Sequence, residues 1–320
     1  MKILIAASVQ GDGGYEEEQL VMLLDRAYRA QGHTVDCFFL PYERNMLSLP
    51  DQMLAYQLFR IEGCELLITV GYLASMLRHP NKICYLMQTE PMMFEYWDSA
   101  YGVIANYQYS MLYHMLLDNE KASFSEAKRI FCCSNLLCND LRDRYGLDST
   151  CLLYPELPWA SAADEIVEAE PYAVCESSLL PWQRWEKLLE IEKTYKIFLF
   201  VPNFNPIYLE SARRVIEKSG RSQQLQILER RCTELELQHS QFVIVPDYQA
   251  RKINGLARGA IAQHKPIVAW HDCGALGQLL PQSNLLSSKE SDTLTIPRLQ
   301  PAADLPAWLD SAEFAKELLR

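Results

Sequence analysis

The sequence predicts an α/β protein made of two doubly wound, parallel-sheet, Rossmann-like domains facing a cleft. Three observations lead there. Its 320 residues suffice for two or three domains of ordinary size. Short apolar runs alternate with helix-length amphipathic segments in both halves, the pattern of parallel strands joined by crossover helices. The series is interrupted once, at residues 154–171, where three prolines and five acidic residues read as a linker. This places a first domain at 1–160, a second at 161–296 and a tail at 297–320. Doubly wound sheets bind ligands at the C-terminal ends of their strands, so a two-domain version is expected to hold its site between the domains.

Each element follows from local pattern. In the first half the apolar runs 2–7, 34–40, 66–70, 83–87, 129–132 and 150–153 predict strands. Residues 17–31 put Leu20, Leu23, Leu24, Ala27 and Tyr28 on one helical face, and Gly32 supplies a stop. A second helix at 135–145 follows Ser134, a suitable N-cap. The second half predicts strands at 172–175, 196–201, 242–245 and 266–270, with helices at 182–193, 207–219, 223–237 and 252–264. In the tail, residues 307–319 keep helical register, and Trp308, Leu309 and Phe314 could pack on the first domain or on a partner.

Composition excludes several classes. A mix of 49% apolar and 22% charged residues is globular, and no apolar stretch approaches the roughly 20 residues that span a bilayer. The opening strand runs straight into Gly and Asp without a signal-peptide pattern, so a cytoplasmic address is expected. Net charge is -11, with 12 Lys and Arg against 20 Asp and Glu in residues 1–160 and 18 against 21 in the remainder. Such a chain repels a phosphate backbone, which argues against nucleic acid as a partner. The ten cysteines have no C-x-x-C or paired His/Cys spacing, so they read as reduced, mostly buried thiols, with no metal expected.

The loop after the first strand reads Gly11-Asp12-Gly13-Gly14-Tyr15-Glu16. Glycines between strand and helix let main-chain amides approach an anion, although Glu16, Glu17 and Glu18 oppose a phosphate. A plain turn and a ligand loop fit this segment equally.

Several segments in register carry more. Lys2-Ile3-Leu4-Ile5, Gly13-Gly14-Tyr15-Glu16 and Gln31-Gly32-His33-Thr34-Val35 resemble the first β-α-β unit of GT-B glycosyltransferases of the retaining GT4 type. Arg78-His79-Pro80-Asn81-Lys82, Asp118-Asn119-Glu120, the run from Ser125 through Ser134 and Leu153-Tyr154-Pro155 resemble a bacterial surface-polysaccharide subgroup of that family. Pro181-Trp182-Gln183-Arg184 is similar to the opening of the donor domain. Residues 260–269, followed by Asp272-Cys273-Gly274, are similar to E-A-M-A-x-G-x-P-V-V-A and its later glycines. The likeness spans most of residues 1–281.

The resemblance implies a nucleotide-sugar donor whose diphosphate is neutralised by an Arg and a Lys as it leaves. Those positions hold Ser178 and Gln183 here, with Arg184 the remaining neighbour. The family's two glutamates at E-x7-E spacing fall at Arg251 and Gly259, and its histidine after the fourth strand falls at or beside Gln88. Three readings stay open. One is a degenerate, noncatalytic glycosyltransferase homologue serving glycan or surface-polysaccharide assembly as a partner of another transferase or as a carbohydrate-binding subunit. Another is an active transferase with a rebuilt site. The third is an unrelated two-domain α/β ligand-binding protein. No catalytic residue is assigned, and no cofactor is implied beyond the donor itself.

Candidate donor-side residues are Gly13, Gly14, Arg184, Asp247, Arg251 and Lys252. Aromatic residues crowd positions 94–113, and aromatic faces stack on sugar rings, so Trp97 and Tyr101, with Glu90, Glu95 and Asp98 as hydroxyl partners, are acceptor-side candidates. His79 reads as a polar turn residue, and His271-Asp272 marks a strand end. Arg213, Arg214, Lys218, Arg221, Arg230 and Arg231 would suit peripheral membrane contact, but interleaved Glu210, Glu217 and Glu229 favour a solvated face.

Overall fold

The computed structural model describes residues 1–10, 15–43, 48–89, 107–155, 157–159, 171–180, 183–202, 205–286 and 310–320. They form two compact units, Met1–Leu157 with Trp308–Arg320, and Pro158–Ala307. Each contains a six-stranded parallel sheet.

The first unit runs β1 (Lys2–Gln10), α1 (Tyr15–Ala30), β2 (Thr34–Tyr42), α2 (Leu49–Leu58), β3 (Leu66–Val70), β4 (Lys82–Leu86), α3 (Tyr107–Ser125), β5 (Arg129–Cys132), α4 (Asn135–Tyr145) and β6 (Thr150–Cys151). The strand order is β2-β1-β3-β4-β5-β6. β3 and β4 are buried at every residue, as expected of parallel strands covered on both faces. That double cover explains why these strands appear in the sequence as continuous apolar runs. Ser134 caps α4 by accepting from Leu137 N–H, and Gly146 closes it at φ 70°. The last helix, α8 (Ser311–Leu319), belongs to this unit: Tyr28 donates to Ala315 O, Arg129 to Leu319 O, and Phe314 meets Tyr85 edge-to-face. The expected role of Phe314 holds, whereas Trp308 and Leu309 lie outside the described residues.

Lys82, fully buried at the head of β4, needs its own explanation. Its ammonium donates to the carbonyls of Ser75 (3.0 Å), Leu77 (3.0 Å) and Ser123 (2.8 Å), tying the segment after β3 and the end of α3 to the sheet. Burial lowers its pKa, and the three carbonyls offset that cost.

The second unit runs β7 (Tyr172–Glu176), a 3-10 turn (Trp185–Glu190), β8 (Lys196–Phe200), α5 (Pro206–Lys218), β9 (Leu225–Leu228), α6 (Glu234–His239), β10 (Phe242–Val245), α7 (Gly255–Ala262), β11 (Ile267–Trp270) and β12 (Leu285–Leu286). The strand order is β12-β11-β10-β7-β8-β9. Two predicted helices are corrected. Residues 223–237 divide into β9, which pairs with β8 through Ile197↔Leu225, and the short α6. A capping box at Thr233 starts α6: its hydroxyl takes the Glu236 N–H while the Glu236 carboxylate takes the Thr233 N–H. Of the predicted helix 182–193, the described residues yield the 3-10 turn Trp185–Glu190, and Arg184 ahead of it adopts φ 39°, left-handed backbone outside a right-handed helix. Arg230 and Arg231 fall between β9 and α6 and pair with Glu236 and Glu176 instead of forming a basic helix face. On α5, Arg214 pairs with Glu210, and Arg213 with Glu229. No helix among the described residues is long and apolar enough to cross a membrane.

Replacing Lys82 with Met should leave the carbonyls of Ser75, Leu77 and Ser123 without their buried donor. The expected cost is about 3 kcal/mol, read as a lower urea midpoint with an unchanged slope.

Candidate functional site

An open α/β sheet binds its ligand beyond the strand ends, where the winding reverses. In the second sheet the chain winds outward from β7 through β8 to β9 and then returns to β10, so the reversal lies between β7 and β10. Three loops meet over that point: residues 177–180 with 183–184 after β7, 246–254 after β10 and 271–277 after β11.

The first loop is folded by Gln183, at the position where the resemblance expects a lysine. Its side-chain oxygen accepts from the main-chain N–H groups of Ser178 (2.8 Å) and Leu180 (3.2 Å) and from the Ser177 hydroxyl. A lysine there could not accept these bonds. The other two loops are zipped together: Gln249 N–H donates to Asp272 O, Ala250 N–H to Cys273 O, and Ala275 N–H to Ala250 O. Gly274, at φ 86°, makes this approach possible, since a Cβ would run into the main chain of Ala250.

Arg184 joins all three loops. Its guanidinium grips the Asp272 carboxylate with two bonds of 2.8 and 2.7 Å and donates to Pro246 O and Asp247 O, each at 3.1 Å. Its carbon lies 5.0 Å from the Tyr248 ring centroid. Only 9% of the Arg184 side chain is exposed, so this is a bidentate, largely desolvated pair, with its cation neutralised inside the protein. Asp247 accepts from the Asn254 amide at 3.3 Å, and Asn254 in turn caps α7 by accepting from Ala257 N–H. Burial, with Asp247 and Asp272 adding to it, raises the Cys273 thiol to about 12. Two carboxylates therefore face this point of the sheet.

The structure thus brings Arg184 and Asp247 of the predicted donor-side set into one cluster. Arg251, half-buried on the same loop, donates to Gln249 O at 2.6 Å; neither it nor Lys252 is an unpartnered cation. Gly13, Gly14, Glu90, Glu95, Trp97, Asp98 and Tyr101 lie outside the described residues. At the corresponding reversal of the first sheet, between β1 and β3, Glu17 is buried against Gly71, and buried Glu16 accepts from Tyr154. Among the described residues no group of His, Cys, Asp and Glu is placed to hold a metal ion.

Sequence reasoning missed Asp272 as the partner of Arg184, because the two are 88 residues apart. It also missed Trp159. The indole lies directly on Gly259 in α7, so close that any Cβ there would collide with the ring. Gly259 stands where the resemblance places the ribose-binding glutamate, so an aromatic ring covers that position. A glycine in mid-helix costs about 1 kcal/mol relative to alanine, which was the available signal of a close approach.

No protein-family model matches this chain, and no curated protein sequence matches it. Solved structures do. HepE of Anabaena in complex with UDP-glucose matches over 100% of this chain and 89% of its own, with TM-score 0.60 and 13% identity. A glycosyltransferase from Rickettsia africae ESF-5 matches over 91% and 85%, with TM-score 0.55 and 12% identity. WaaG, a glycosyltransferase involved in lipopolysaccharide biosynthesis, matches over 91% and 87%, with TM-score 0.54 and 11% identity. The chain has the GT-B glycosyltransferase fold. At this identity the likeness extends to the fold, and the strand-end chemistry is this chain's own.

Two mutational outcomes check the cluster. Arg184→Ala and Asp272→Ala should each cost about 3 kcal/mol, and the double variant far less than their sum, in a double-mutant cycle read by denaturation. Gly259→Ala should destabilise by about 1–3 kcal/mol in the wild-type background and become near neutral once Trp159 is replaced by Ala.

Proposed function

We propose that this protein is a noncatalytic homologue of GT-B glycosyltransferases of the retaining GT4 type. It serves glycan or surface-polysaccharide assembly as the partner of an active transferase or as a carbohydrate-binding subunit. One observation carries this reading: Arg184, next to the position where the resemblance expects a lysine, is already neutralised by Asp272 and bonded to the carbonyls of Pro246 and Asp247. A leaving nucleoside diphosphate develops about two negative charges, and a transferase must meet them with positive charge that is not otherwise engaged. Here Gln183 holds the loop where a lysine would stand, and Trp159 covers the position of the ribose carboxylate. The domain arrangement expected from sequence, acceptor side in 1–160 and shortened donor side in 161–296, leaves the first domain free to keep an acceptor surface.

Calorimetric titration with UDP, GDP and their common sugar conjugates tests the proposal. No heat at millimolar ligand is the expected result. Micromolar binding that is lost in Arg251→Ala would overturn it in favour of a rebuilt, active donor site.

A further inference from the structure

A thiol and an imidazole meet at the N-terminal ends of β3 and β4, the opposite end of the first sheet from its ligand-binding edge. Cys64 comes just before β3 and His79 just before β4, and the Cys64 sulfur lies 3.6 Å from His79 Nε2, hydrogen-bond distance for sulfur. Both residues are half-buried, so small solutes reach the pair. Seven of the ten cysteines are buried, which leaves Cys37 and Cys151 as the other accessible thiols.

The main chain holds the pair in place. The Asn81 side-chain amide donates to Glu65 O at 2.6 Å, and Leu67 N–H donates to Asn81 O at 3.0 Å, so the turn carrying His79 is tied to the turn carrying Cys64. Lys2 N–H donates to the Glu65 carboxylate at 2.6 Å and fixes the same turn to β1. Asn81 also orients the imidazole: His79 Nδ1 stands 2.9 Å from Asn81 O and 3.1 Å from Asn81 N. With Nδ1–H donating to that carbonyl, Nε2 turns its lone pair to the thiol. After Nε2 takes a proton, the ring keeps the bond to Asn81 O and gains one from Nε2–H to the thiolate.

We propose that Cys64 and His79 form a thiol-modification site, where His79 is the base and Cys64 exchanges with a low-molecular-weight disulfide to form a mixed disulfide. His79 Nε2 takes the Cys64 proton, and the Cys64 sulfur attacks one sulfur of the small disulfide. The S–S bond of the reagent breaks, a new one joins its attacked half to Cys64, and the other half leaves as a thiolate that takes the proton back from His79. The Cys64 sulfur is oxidised as the departing sulfur is reduced, so no further reagent is needed. The surroundings make the base necessary. Burial pushes the Cys64 thiol up, and Asp36 adds to it, while Lys2 opposes them; Lys2 Nζ lies beside this turn, 3.9 Å from where a Cβ on Gly63 would stand. Cys37 is the control within the chain. It is exposed, yet partial burial with Asp25 beside it raises its thiol to about 11.

The test treats the full-length protein with oxidised glutathione at neutral pH, quenches with acid over a time course, and locates the adducts by intact mass and peptide mapping. The expected first product is a single glutathionyl adduct on Cys64, reversed by dithiothreitol and missing in Cys64→Ser. His79→Asn should slow the reaction at Cys64 about tenfold or more and leave the rate at Cys37 unchanged. A looser fold would speed every thiol, so Cys37, read in the same molecule, separates loss of the base from loss of structure. A first adduct on Cys37 or Cys151, no adduct at all, or an undiminished Cys64 rate in His79→Asn would overturn the proposal. None of these outcomes bears on nucleotide binding, so the site stands or falls apart from the donor-side reading.

Discussion

The pairing of Arg184 with Asp272 organises the end of the second sheet. Through one guanidinium the loops after β7, β10 and β11 are fixed to each other, and its positive charge is cancelled within the chain. The arrangement demands particular neighbours. Arg184 takes left-handed backbone at φ 39° just ahead of the 3-10 turn Trp185–Glu190, and Gly274 must lack a side chain so that the loops can close. Gln183 is fitted to accept main-chain bonds, a role no cation can fill. Loops built this way support themselves, whereas a diphosphate site leaves donors and charge directed at the ligand.

Much of the fold was legible because parallel strands buried on both faces must be written as continuous apolar runs. The strands at 66–70 and 129–132 emerge at the predicted residues, as does the helix at 135–145 with its Ser134 cap. What failed did so for local reasons. The run 223–237 has helical spacing, but Leu225 and Ile227 are drawn into the sheet beside β8, and Thr233 restarts the helix. Positive φ at Arg184 leaves no composition signal that would distinguish it from an ordinary helix residue.

The site was legible in one sense only. The absence of the expected cations and carboxylates is written in the sequence, whereas the groups that replace them are not. Arg184 could be nominated as the neighbour of the expected lysine position and Asp247 as the acid in the loop after a predicted strand, but Asp272 becomes a partner only when β11 is laid beside β10. Trp159 lies in a proline-rich linker that gave no reason to expect its ring on α7, and only the unexplained mid-helix glycine pointed to a close neighbour. Long-range pairs of this kind depend on topology, which local pattern does not encode.

The central claim, that the guanidinium of Arg184 belongs to the protein and not to a ligand, is tested most directly by following its Nε–H group by NMR while UDP is added. A buried, slowly exchanging resonance that stays in place at millimolar UDP is the predicted result, since Nε–H donates to Pro246 O while the terminal nitrogens of the same guanidinium hold the Asp272 carboxylate. A resonance that exchanges rapidly with water, or moves to a saturating end point with UDP, would contradict the account.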